Sequence, residues 1–85
     1  MKREEATALL REVMRSCDGL AEQGIMLMPP NADDVLSHGY QLHIKSKATT
    51  QNYPCIKQIV DEHKDLSIVN EAKRDLTIIY KPMKQ

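Results

Sequence analysis

Two cysteines and three histidines are the residues of this chain that could supply nucleophilic, redox or metal chemistry. Cys55 follows Pro54 in the stretch ATTQNYPCIKQIVDEHK, residues 48–64, where proline at a helix start predicts a first-turn cysteine. Unpaired N–H groups and the helix dipole stabilise a thiolate there, and Lys57 lies two residues on. Cys55 is therefore the candidate reactive thiol. It is not expected to be a catalytic nucleophile, because no histidine or acid is spaced to serve as its base and there is no Cys-x-x-Cys. Cys17 sits in the middle of an apolar stripe and reads as an inert, buried hydrophobe. The pair could form one disulfide, but nothing else suggests a stapled secreted scaffold, so reduced thiols in the cytoplasm are expected. Among the histidines, His38 falls in a turn, His43 on the outward side of a strand, and His63 at a helix end. That spacing makes no metal site. Asp33-Asp34 reads as helix-start chemistry, since adjacent residues point apart. No metal and no cofactor is expected.

The elements that must position these residues fit one domain over 1–85. Acidic and basic residues balance at 12 each, which gives no bulk field toward nucleic acid or an anionic membrane. No apolar run approaches the ~18 residues of a membrane span, and no signal-peptide core follows the first five residues. Leu9, Leu10, Val13, Met14, Cys17, Leu20 and Ala21 predict an amphipathic helix from about Arg3 to Gln23, stopped at Gly24. Ile25-Met26-Leu27-Met28 is a short strand or an apolar connector ahead of Pro29-Pro30, and Asn31 opens a turn closed by Gly39. Tyr40, Leu42 and Ile44 alternate with Gln41, His43 and Lys45, a half-buried strand. A second helix over about Pro54 to Lys64 carries Ile56, Ile59, Val60 and His63 on one face. Leu66 to Asn70 and Leu76 to Tyr80 then form a hairpin. The expected fold is an α/β (α+β) two-layer sandwich of order α-β-α-β-β, with the helices on one face of a small mixed sheet.

The parts YQLHIKSK, ATTQNYPCIKQIVDEHK and LSIVNEAKRDLTIIYKP, together residues 40–82, resemble the second half of the TusA/SirA-type sulfur-carrier family. The resemblance covers about half of the chain and implies a two-layer α/β architecture. The sulfur-bearing Cys-Pro-x-Pro of that family is absent, and Cys55 does not occupy its place, so the active residue does not carry over. The same architecture serves RNA-binding domains and selects no function.

The remaining surface is the sheet face expected to point away from the helices, carrying His43, Lys45, Lys47, Val69, Thr77, Ile79 and Lys81. Its lysines could meet phosphates, yet no aromatic residue stands among them and the net charge is zero, which disfavours nucleic acid. Val69, Thr77 and Ile79 form an apolar island with polar surroundings, a pattern found at partner contacts. The function expected is a non-catalytic protein-interaction or regulatory domain, with a homodimer through the sheet face or an edge strand as one form of it. The alternatives are a thiol-based sulfur carrier using Cys55 and a weak nucleic-acid binder using the sheet-face lysines.

Overall fold

Helix α1, Arg3–Ser16, opens the computed structural model, which describes residues 1–17, 24–30 and 39–82. Ala6, Leu9 and Val13 recur at helical spacing and bury one stripe. The Glu5 carboxylate accepts the backbone N–H of Lys2 at 3.3 Å. Glu4 and Glu5 in the first turn and Arg15 in the last both complement the dipole. The helix ends well before Gln23. Cys17 turns to extended backbone while its N–H donates to the Val13 carbonyl at 2.9 Å. Leu20 and Ala21, and the turn expected over 31–38 with Asp33, Asp34 and His38, lie outside the described residues.

Ile25–Met28 is a strand, β1, so the element order gains a member. It is followed by β2 (Gln41–Lys45), α2 (Ser46–Glu62), β3 (Ser67–Glu71) and β4 (Leu76–Tyr80). The sheet order is β1-β2-β4-β3, and every neighbouring pair is antiparallel rather than mixed. The helical crossover explains this. α2 carries the chain from β2 to β3, which run in the same direction, and the tight hairpin then inserts β4 between them.

α2 starts eight residues before Pro54, not at it. Its first N–H, from Ser46, is satisfied by the Asp75 carbonyl at 3.1 Å, across from the β3–β4 turn. Thr49 and Thr50 bond back to the carbonyls of Lys45 and Ser46. Pro54 therefore lies inside the helix, where it leaves the Thr50 carbonyl without an N–H donor one turn on. Tertiary burial of Thr49, Ile56, Ile59 and Val60 outweighs that local cost.

Cross-strand partners share a face, so the register sorts the sheet. Leu27, Leu42, Ile79 and Ile68 form one row, and Ile25, Ile44, Thr77 and Asn70 the next. These rows meet Ala6, Leu9 and Val13 of α1 and Ile56, Ile59 and Val60 of α2 in a single buried cluster. The opposite side carries the row Met26, His43, Ile78, Val69, flanked by Gln41, Met28, Tyr80, Leu76 and Lys45. Met1 joins the core through the turn before β2. Tyr40 donates its N–H to the Met1 carbonyl at 2.8 Å, and Gly39 takes φ +92° beside it. A Cβ on Gly39 would stand 2.4 Å from the Met1 carbonyl oxygen, so only glycine fits both the conformation and the approach.

Candidate functional site

Three links run along α1, and the two that reach the α2 region set its direction against α2. The C-terminal end is joined to α2 by a disulfide between Cys17 and Cys55, with the Cα atoms 5.8 Å apart. Glu12 meets His63, at the end of α2, at 3.2 Å. Glu5, near the start, lies 3.6 Å from Lys81, which also reaches Asp65 at 3.1 Å. The two helices are thus antiparallel neighbours with a covalent bond at one end.

The bridge corrects the expectation for Cys55. It is not a free thiol but half of a disulfide, and it is the tenth residue of α2 rather than a first-turn residue. Helix-start stabilisation of a thiolate therefore does not apply to it. Cys17 is core as expected, 2% exposed, while Cys55 remains partly exposed at the border of the buried face. The Cys55 sulfur stands 3.4 Å from the Ser16 carbonyl oxygen, a contact that becomes an S–H donor geometry only when the bridge is reduced. Spacing could not reveal the pairing, because the two cysteines lie 38 residues apart on elements whose packing is tertiary.

The expected partner surface is divided by the structure. His43 and Val69 do face away from the helices, and Lys45 is exposed at the end of the same side. Thr77 and Ile79 do not. They are 1% and 0% exposed on the helix-facing side, where Thr77 donates its hydroxyl to Asn70 Oδ1. Lys47 belongs to α2, and Lys81 follows β4 and is engaged by Glu5 and Asp65. The physical reason is the sequence of β4, Leu-Thr-Ile-Ile-Tyr, which is apolar in both alternating sets, so its phase is decided only by pairing Ile79 with Leu42.

The outward set is then Leu76, Ile78 and Tyr80, joined by Met26 and Met28 of β1, none of which the alternation had assigned to that side. At the centre, Ile78 is 1% and His43 5% exposed, and His43 Nε2 lies 2.9 Å from Gln41 Oε1. The β1 margin differs. Met26 is 50% exposed on the edge strand.

A cleft of about 240 Å³ lies between α1 and the α2–β3 connection, with Leu9 and Leu66 in its wall and Glu5, Glu12, His63 and Asp65 at its rim. Its charges already answer one another. The Lys81 ammonium holds the Asp65 carboxyl below the usual range, and Asp65 in turn raises Lys81. At the hairpin turn, Arg74 bonds both oxygens of Glu71, at 2.7 and 2.8 Å, and lowers that carboxyl as well. Among the described residues no three His, Cys, Asp or Glu side chains converge to hold a metal, and no helix is long and apolar enough to cross a membrane. No protein-family model matches the chain, and no curated protein or solved structure matches it either.

Proposed function

We propose that this chain is a small non-catalytic protein-interaction domain that self-associates through the β1 edge. The observation that carries the reading is Met26. It is a large apolar side chain, half exposed, on an uncharged edge strand of sequence Ile-Met-Leu-Met. An edge strand presents unpaired backbone groups that template another strand, and methionine adapts to the surface it meets. Two copies paired antiparallel along β1 would continue the sheet about a two-fold axis and cover Met26 and Met28.

Sedimentation of the wild type over a concentration series, beside Met26→Lys, tests this. The wild type should associate, and the variant should be monomeric with an unchanged circular dichroism spectrum, because a lysine is tolerated on a solvent-facing edge but not in an apolar contact. A wild type that stays monomeric at its highest attainable concentration removes the dimer.

A nucleic-acid role has less support, since Lys45, Lys47 and Lys81 belong to different elements and Lys81 is engaged. A sulfur carrier using Cys55 requires the bridge to open first. We place the protein in the cytoplasm, where thiol pools make lasting disulfides rare and would act on the Cys17–Cys55 bond.

A further inference from the structure

We propose that Cys55 is a thiol-exchange site for low-molecular-weight monothiols, with Cys17 as the resolving thiol that restores the bridge. The inference is independent of self-association and rests on an asymmetry between the two sulfurs.

A thiolate attacks a disulfide in line with the S–S bond, from the side of the sulfur it strikes. Cys17 is 2% exposed within the cluster that includes Val13, Ile25 and Ile56, so among the described residues it is the shielded sulfur of the pair. Cys55 is partly exposed at the rim of α2. The incoming thiolate therefore bonds to the Cys55 sulfur. The S–S bond breaks, and its electron pair leaves on the Cys17 sulfur, which takes a proton. The products are a mixed disulfide at Cys55 and a Cys17 thiol. In the return step Cys17 loses its proton, attacks the Cys55 sulfur and expels the small thiol. No net oxidation occurs in either direction.

Proximity biases this cycle toward the bridged form. Cys17 caps the carbonyl end of α1 in an apolar site, which disfavours its thiolate and so slows opening and closing alike. Three contacts that do not involve sulfur hold α1 in place while the bridge is open. These are the apolar stripe, Glu12 with His63, and Glu5 with Lys81. The two thiols stay close enough to recombine, with the Cys55 sulfur against the Ser16 carbonyl.

The test is incubation of the folded, oxidised full chain with excess reduced glutathione. Acid quenching, alkylation with N-ethylmaleimide and peptide mass mapping follow. Glutathione should be found on Cys55 and maleimide on Cys17, with a preference of about ten-fold or more, as expected when only one sulfur is accessible. Cys17→Ala, loaded with glutathione disulfide, should hold the Cys55 adduct, because no resolving thiol remains. Cys55→Ala should leave Cys17 unmodified until urea is added. Equal labelling of the two sulfurs, or a preference for Cys17, overturns the proposal. So does an oxidised chain with two free thiols, or native exchange no faster at Cys55 than at Cys17 when either variant fails to fold.

Discussion

Opening the Cys17–Cys55 bridge should lower the stability of the domain by about 4 kcal/mol while leaving its fold in place. The bond closes a loop across 38 residues, and chain-entropy arithmetic gives roughly 13 cal/mol/K for such a loop, or about 4 kcal/mol at room temperature. That is a large share of the ~5–15 kcal/mol that holds a domain of this size together. The native side loses little, because Ala6, Leu9 and Val13 still bury α1 and the contacts to His63 and Lys81 persist. The change therefore acts chiefly on the unfolded chain. Urea unfolding of oxidised wild type, reduced wild type and the Cys17→Ala/Cys55→Ala double variant would measure it. Alanine is preferred to serine at position 17, where a buried hydroxyl would add ~1–3 kcal/mol of its own. With a slope of ~1–2 kcal/mol/M, the midpoint should fall by about 2–4 M on reduction, and Tm by about 15–30 °C. The oxidised form should also show the smaller slope, since its unfolded state stays more compact. Unfolding free energies that agree within ~1 kcal/mol for a mass-verified bridge would refute the loop-closure argument.

Other outcomes follow from the same geometry. Gly39→Ala should destabilise by more than ~1 kcal/mol, because a positive φ and a backbone carbonyl both oppose the new methyl group, and thermal unfolding would read it. Ile79→Ala should cost about 2–5 kcal/mol as a fully buried truncation, whereas Val69→Thr on the other side should cost under ~1 kcal/mol; a larger cost at Val69 than at Ile79 would show that the faces are reversed. Asp65 and Glu71 are carboxyls depressed by Lys81 and Arg74, so their contribution is present above the unfolded carboxylate pKa and is lost as pH falls through the lower folded values. Lys81→Met should bring the Asp65 titration, followed by carboxyl-carbon NMR, back toward the ordinary range without moving that of Glu71.

Much of the architecture could be read from periodicity. The stripe of α1, the alternation of β2 and the hairpin of β3 and β4 each follow a repeat that burial imposes on one element at a time. The failures are relational. Leu76 to Tyr80 is apolar on both sides, so choosing its inward set needed the partner strand, and the choice displaced Thr77 and Ile79 from the expected surface into the core. Pro54 suggested a helix start because proline is favoured there, but helix formation from Ser46 was decided by burial of Thr49 and by the Asp75 carbonyl waiting at the first turn. The cysteines were assigned separate fates for a related reason. Each was judged on its own helix, and only the antiparallel packing of α1 on α2 brings them together.

The position of β4 has a consequence for synthesis. Among the described strands it is made last, and it is an interior one, with β2 on one side and β3 on the other. Until residues 76–80 have left the ribosome, β3 has no neighbour, β2 has one bare edge, and the core lacks Ile79. The nascent chain can form its helices and the β1–β2 pair, but it cannot close the sheet. Completion therefore comes in a single late step that docks a pre-folded hairpin against β2. A released chain truncated before Leu76 should bind holdase chaperones through these open edges, and the full chain should not.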